Sequence, residues 1–347
     1  MFILAVAALR LRAWWRTVFS AIRDPVGHVG SSVSTRSPSG ALLYYSSQWS
    51  YPAEEWRKAV CSHFGPDEPL DFRCYDPADP ASMGDISEIH FALVYGAPQG
   101  LLASLPSLRV TLSISSGVDH VLSDPSYPRN RVPVLRMVDH NQIAMMGEYV
   151  VHAILDHHRA MPFYREQQRA CLYRRINTPY TPSVDVLVLG LGYMGAEIAR
   201  KLSLFGFKVR GWSRSRKNIP GVMCYAGAHE CLLTSAVPSC SYVINALPLT
   251  NETKGILNRD LFDQLKNGAC LVNVGRGGHV VEDDLLAALG SGRLSHAYLD
   301  VFDTEPLPQP HPFWGHPQIS ITPHVAGELL PRSCAVGVSM NIRAYSL

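Results

Sequence analysis

The feature that most constrains this 347-residue chain is one short turn, Gly190-Leu191-Gly192-Tyr193-Met194-Gly195. An apolar strand pattern, Val184 to Leu189, leads into it, and a helical pattern, Ala196 to Leu202, leads out. A second strand pattern, Phe207 to Trp212, follows. In that setting each glycine has a separate task. Gly190 makes the tight turn, Gly192 lets backbone approach a pyrophosphate, and Gly195 lets the helix pack closely on the strand. The helix N-terminus adds free N–H groups and a positive dipole. The spacing therefore predicts a dinucleotide site, with Tyr193 and Met194 in the same turn among its contacts.

The end of the second strand selects the nucleotide. An NAD site usually carries Asp or Glu about 20 residues beyond the turn, bonded to the ribose 2′-hydroxyl. That place here holds Ser213, in the run Trp212-Ser213-Arg214-Ser215-Arg216-Lys217. No carboxylate is present to repel a 2′-phosphate. Arg214 and Arg216, with the Ser213 hydroxyl and Ser215 beside it, can hold one. NADPH is expected over NADH; a merely solvated basic face is the plainer alternative.

The remaining chain suits an α/β protein of two lobes. Its length fits two domains. Charged residues make up 17% and the net charge is +2, so no polyanion partner is implied. The eight cysteines form no CxxC pair and no zinc-like spacing with histidine, and they read as free thiols in a reducing compartment. His157 and His158 are adjacent, so they leave a helix on different faces; no metal site is expected. Short apolar runs at Ala41–Tyr45, Phe91–Tyr95 and Val110–Ser115 predict strands, and Trp56, Val60 and Phe64 predict one helix face over residues 52–64. A longer helix is predicted over Gln142–Arg159, with Met146, Val150 and Ile154 at four-residue steps.

Polar residues arrive at three further strand ends. One strand, from Cys270, ends in Gly275-Arg276-Gly277. A second, from Ala297, leads to Asp303-Thr304-Glu305-Pro306. A third, from Ile319, ends in Pro323-His324. Ligands of open α/β sheets bind at the carboxyl ends of strands. Arg276 suits a substrate carboxylate and a polarised ketone oxygen. His324 suits proton donation near neutral pH, and Glu305 would favour and orient its imidazolium. Singly, each has an ordinary structural explanation; with the nucleotide turn they form a candidate site.

These motifs resemble the D-isomer-specific 2-hydroxyacid dehydrogenases, over about Ala41 to Pro331. The resemblance rests on Gly190–Gly195, Asn273-Val274-Gly275-Arg276-Gly277, Asp300-Val301-Phe302 with Glu305-Pro306, and Thr322-Pro323-His324. It leans towards the glyoxylate/hydroxypyruvate reductase A branch through Trp212–Lys217, the stretch from His279 to Leu289, and Pro306-Leu307-Pro308 with Trp314. The resemblance implies two Rossmann-like, doubly wound parallel-sheet lobes with the active site in the cleft between them. Residues 41–134 and 325–347 would form the substrate domain and 135–324 the NAD(P)-binding domain. It implies catalysis by Arg276, Glu305 and His324. It implies substrate contacts from Tyr95 and Gly96 and from Ser116, Gly117 and Val118 in a carboxylate-binding loop, Ser116-Gly117-Val118-Asp119, and cofactor contacts that include Leu247, Pro248 and Asp300. A small 2-oxo acid, glyoxylate or hydroxypyruvate, would be reduced by NADPH in a homodimer.

Two features stand outside that pattern. Residues 1–40 are apolar at first, then rich in arginine and serine with a single acid, the composition of a transit peptide. A mitochondrial place is expected if they are one, and a cytoplasmic place otherwise. Their apolar run is far short of the ~20 residues that span a bilayer. The helix expected over Val336–Leu347 is short for a return to the substrate lobe and would loosen the cleft. Two other readings remain: a lactate- or phosphoglycerate-type dehydrogenase, and a non-catalytic NAD(P)H-sensing protein on the same fold.

Overall fold

The computed structural model describes residues 39–47, 51–229 and 232–346. The leader expected at residues 1–40 lies outside the described residues up to Pro38. Two parallel sheets organise the rest.

The first lobe is built from β1 (Ala41–Ser46), α1 (Ala53–Cys61), β2 (Phe72–Cys74), β3 (Ile89–Tyr95), β4 (Val110–Ser113), the single-turn helix α2 (Asp119–Leu122) and β5 (Val134–Arg136). Its strand order is β2-β1-β3-β4-β5, all parallel. Both faces of the sheet are covered. Leu42 and Tyr44 face one core with Trp56 and Val60, while Ala41 and Leu43 face the other with Leu102 and Leu105. Alternation along a strand divides them this way, and burial on both faces explains the unbroken apolar runs.

The chain then crosses into α3 (His140–His158), capped by the Asp139 carboxylate, which accepts from the Asn141 N–H. After α4 (Met161–Arg169) come β6 (Asp185–Leu189), α5 (Tyr193–Leu204), β7 (Lys208–Ser213), β8 (Val222–Ala226), β9 (Tyr242–Asn245), α6 (Arg259–Gln264), β10 (Ala269–Asn273), α7 (Glu282–Gly290), β11 (Leu294–Leu299) and β12 (Ile319–Ile321). The order β8-β7-β6-β9-β10-β11-β12 is that of a Rossmann sheet with one strand added. It reverses between β6 and β9, so a crevice opens at their carboxyl ends.

The last helix, α8 (Pro331–Tyr345), returns to the first lobe. Its Ala335, Val338 and Ile342 join Trp56 and Val60 in one core. Fully burying a side chain such as Val338 or Ile342 stabilises by about 1.5–3 kcal/mol, and Val338→Asp would reverse that by burying an unpaired carboxylate. The two crossings are tied together. Ser333 Oγ donates to Asp139 Oδ2 at 2.7 Å, and Gln142 Nε2 donates to the Gly327 carbonyl at 3.0 Å.

Several sequence expectations are corrected in detail. The return helix starts at Pro331, five residues before the expected Val336. The first sheet runs to Arg136, past the expected lobe boundary at 134. Strands β2, β5, β8 and β9 had no clear signal, being three to five residues long and, except for β9, partly exposed. The strand expected from Ala297 to Phe302 runs from Leu294 to Leu299; Val301 and Phe302 are buried in the loop beyond it.

Candidate active site

At the carboxyl end of β6 the three turn glycines differ in their surroundings as their expected tasks require. Gly190 has φ +90°, and a Cβ there would lie 2.7 Å from the Ala246 carbonyl oxygen. A Cβ at Gly195 would lie 1.7 Å from the Gly190 oxygen, so helix α5 can pack here only without one. A Cβ at Gly192 meets nothing within 4 Å. Gly192 caps α5, so this open space faces the helix's free N–H groups, as a pyrophosphate cradle must. Tyr193 and Met194 form the first turn of α5. Ser213 ends β7, nearly buried, and donates to the Ser215 carbonyl at 2.8 Å; Arg214 and Arg216 are exposed just beyond. The residues present therefore fit a dinucleotide.

The polar residues at the other strand ends are fixed by buried partners. Asn245, Asn273 and His279, all fully buried, form one network. Asn245 Nδ2 donates to Asn273 Oδ1 at 2.9 Å and to His279 Nδ1 at 2.9 Å. His279 Nδ1 also accepts from the Arg276 N–H at 3.1 Å, while Nε2 donates to the Pro248 carbonyl at 3.2 Å. Leu247 N–H donates to Asn245 Oδ1 at 3.3 Å. The loop carrying Leu247 and Pro248 is thus fastened to the loop carrying Arg276. A fully satisfied buried network of this kind rigidifies its surroundings. A Cβ at Gly277 would lie 1.8 Å from the Phe302 carbonyl carbon, so the Arg276 turn packs directly on the loop that carries Glu305.

Glu305 Oε1 accepts from the Phe302 N–H at 2.9 Å, and Oε2 accepts from His324 Nδ1 at 2.8 Å. Burial pushes the Glu305 carboxyl up, but the His324 hydrogen bond and charge, the Phe302 N–H and Arg276 outweigh it, leaving it below its ordinary range. His324 sits at φ +56°, a conformation that costs a non-glycine residue on the order of 1 kcal/mol or more. Asp300 holds it there. The Asp300 carbonyl accepts from the His324 N–H at 2.9 Å. Its carboxylate accepts from Thr322 Oγ1 at 2.7 Å, Val325 N–H at 2.8 Å and Ala326 N–H at 2.9 Å. Tyr149 in α3 bonds the same Thr322 hydroxyl at 2.7 Å.

Across the cleft, Arg276 meets the first lobe. Nε donates to Asp119 Oδ2 at 3.0 Å, and Nη2 donates to Asp119 Oδ1 at 3.1 Å. Burial pushes the Asp119 carboxyl up, but the guanidinium and its bonds win, so it titrates below its ordinary range. A Cβ at Gly117 would lie 2.1 Å from Arg276 Nη2. Tyr95 is close enough for the charges of Arg276, Glu305 and Asp119 to act on its hydroxyl. The Gly96 N–H donates to His120 Nδ1, and the Gly117 N–H to Ser115 Oγ. The N–H groups of Ser116 and Val118 donate to nothing among the described residues. The expected residues of both lobes are thus brought to one cleft. Sequence reasoning placed Asp119 in the carboxylate-binding loop but missed its pairing with Arg276, and it missed His120, Asn245 and His279 as site residues. A run of polar residues directly after an apolar strand was the available signal for His120.

A turn that fits a dinucleotide, with a His–carboxylate pair and an arginine at other strand ends of the same sheet, is the arrangement of an NAD(P)-dependent oxidoreductase. The chain belongs to the D-isomer specific 2-hydroxyacid dehydrogenases, whose NAD binding domain matches residues 151–326. Glyoxylate/hydroxypyruvate reductase A of Serratia proteamaculans (strain 568) is 39% identical over 298 residues, 85% of this chain and 92% of that protein. A D-isomer specific 2-hydroxyacid dehydrogenase from Xanthobacter autotrophicus Py2, solved with NADPH and MES, superposes with a TM-score of 0.82 at 36% identity, covering 88% of this chain and 95% of that one. An NADPH-dependent glyoxylate/hydroxypyruvate reductase from Sinorhizobium meliloti, solved with NADP and sulfate, gives 0.79 at 34% identity, over 88% and 95%. The Serratia and Sinorhizobium proteins bear the name of the branch towards which the motifs lean.

Proposed function

We propose that this chain reduces glyoxylate or hydroxypyruvate to the 2-hydroxy acid with NADPH. The observation that carries the reading is the His324–Glu305 pair beside Arg276, at strand ends next to the nucleotide turn. Residues 41–136 with 331–345 act as the substrate lobe, and the intervening chain as the coenzyme lobe. The substrate carboxylate lies against Arg276 and the open N–H groups of Ser116 and Val118. A guanidinium edge polarises the ketone oxygen. When bound, NADPH supplies the hydride that goes to C2. Glu305 takes His324 Nδ1–H, so Nε2 gives its proton to the forming alkoxide, and the carboxylate stabilises the imidazolium beforehand. Arg214, Arg216 and Ser213 take the 2′-phosphate, so NADPH binds in preference to NADH. The protein acts as a homodimer. Its bacterial relatives favour a cytoplasmic place over a mitochondrial one, and no helix among the described residues is long and apolar enough to cross a membrane.

The test is oxidation of NADPH and NADH, followed by absorbance, with glyoxylate, hydroxypyruvate and pyruvate. Rapid loss of NADPH with the first two is expected. Tight NADPH binding with no turnover of any of them would sink the reading and favour a sensor.

A further inference from the structure

His120 lies outside the Arg276, Glu305 and His324 set, yet it touches both substrate loops. Its Nδ1 accepts from the Gly96 N–H at 3.2 Å. The ring proton must therefore sit on Nε2, which lies 2.7 Å from Ser113 Oγ and donates to it. Ser113, fully buried at the end of β4, passes its own proton on to the Gly117 carbonyl at 2.8 Å. Every proton in this chain has one consistent place: Gly96 N–H to His120, His120 to Ser113, Ser113 to Gly117. The Tyr95 ring rests against the imidazole, with centroids 4.7 Å apart. Burial, with Arg276 nearby and Asp119 opposing, pushes the imidazole down to about 4, so it stays neutral and keeps its acceptor nitrogen.

The consequence lies one atom further on. The Gly117–Val118 peptide is trans, so its C=O and N–H point in opposite directions across one plane. Drawing the Gly117 oxygen inward to Ser113 turns the Val118 N–H outward, where no described residue accepts it. Gly117 is also the residue whose Cβ would meet Arg276 Nη2. We propose that His120 and Ser113 form a relay that orients the Gly117–Val118 peptide, so that the Val118 N–H and the Arg276 guanidinium converge on one substrate carboxylate. Both are positioning residues, since neither touches the reacting atoms. The relay also removes the Gly96 N–H from the set of donors and fixes that loop's distance from the other.

This rests on the proposed 2-oxo acid reductase, so its test includes a measurement that needs no turnover. Ser113→Ala and His120→Leu are compared with His120→Gln, whose amide nitrogen can keep the bond to Ser113. KM for hydroxypyruvate and Kd for oxalate, titrated into the NADPH complex, are both measured. A lost hydrogen bond that positions a donor for an anion predicts a rise of about tenfold or more in each, for the first two variants. NADPH affinity should stay unchanged and kcat should stay within about threefold, with His120→Gln recovering most of the loss. The proposal is overturned if Ser113→Ala binds oxalate as well as the parent, if NADPH affinity and kcat fall as KM rises, or if His120→Gln does no better than His120→Leu. Should His120→Leu fail to fold, Ser113→Ala against His120→Gln carries the comparison alone. A parent protein that binds oxalate but turns over no 2-oxo acid refutes the reductase reading and leaves the relay to be judged by the oxalate constants.

Discussion

Arg276 and Asp119 meet edge-on across the cleft, through Nε and Nη2 on one side and both carboxylate oxygens on the other. With the Gly275 carbonyl on Nη1, this pairing occupies most of the guanidinium's five donors and fixes its plane. Lysine has one charge centre and no fork to share between Asp119 and a substrate. Arg276→Lys should therefore lower kcat/KM for hydroxypyruvate by about 10²–10³, with NADPH affinity retained. A loss under threefold in steady-state assays would remove the guanidinium geometry from the mechanism.

The same pair makes a pH prediction for stability. The Asp119 carboxyl titrates below its unfolded value, so its bridge to Arg276 contributes fully above about pH 4. The contribution fades as pH falls through the lower, folded value. Asp119→Asn should accordingly lower Tm at pH 7, with the gap to the parent closing below pH 4. Thermal unfolding across that range checks it; a gap that is constant with pH points to packing instead.

His324→Ala should leave NADPH affinity intact and reduce turnover by about 10²–10⁴, the usual cost of losing a positioned acid. Glu305→Gln should act more gently. The amide oxygen can still accept from Nδ1 and orient the ring, but it gives the doubly protonated ring no counter-charge, so kcat should fall by about tenfold while NADPH affinity is kept. An unchanged kcat would separate Glu305 from the proton step.

Arg214→Ala combined with Arg216→Ala should weaken NADPH binding far more than NADH binding, measured by fluorescence titration. Equal weakening of the two would place the 2′-phosphate elsewhere.

His157, between α3 and the second sheet, bonds Tyr242 and Ser295 and is pushed down to about 4, chiefly by burial, with His296 and His158 adding to it. Unfolded, it takes a proton near pH 6.5. Between about pH 6.5 and 4 the unfolded state thus binds the extra proton, and stability drops as pH is lowered, by up to about 1.4 kcal/mol per unit from this residue. Urea unfolding of His157→Gln at pH 7, 6 and 5 should show a shallower decline than the parent, and a parallel decline would discount the histidine.

What the sequence made legible was local. The Gly190 turn could be read because each glycine answers to a neighbour a few residues or one strand away, and sterics of that range are written in the spacing. The outward-facing strand ends at Arg276, Glu305 and His324 could be read because polar residues directly after apolar strands have few reasons to be there. Asp119 could be placed only in its loop, without its role, because its partner is 157 residues away in the other lobe. Its purpose exists only once the lobes face each other. His120 was hidden for a related reason: its two bonds go to a backbone N–H and a buried serine, and neither has a sequence signature. The network of Asn245, Asn273 and His279 is likewise invisible until three strand ends are placed side by side.

The bonds from Ser333 to Asp139 and from Gln142 to Gly327 pin together the only two places where the described chain passes between lobes. Two threads crossing a gap far apart would let the halves twist, slide or bend. Stitched side by side, they leave one easy axis, like paired knuckles on a single pin. Val118 and Asp119 are neighbours on one loop of the first lobe, so any change of angle about that pin carries both towards or away from Arg276 together.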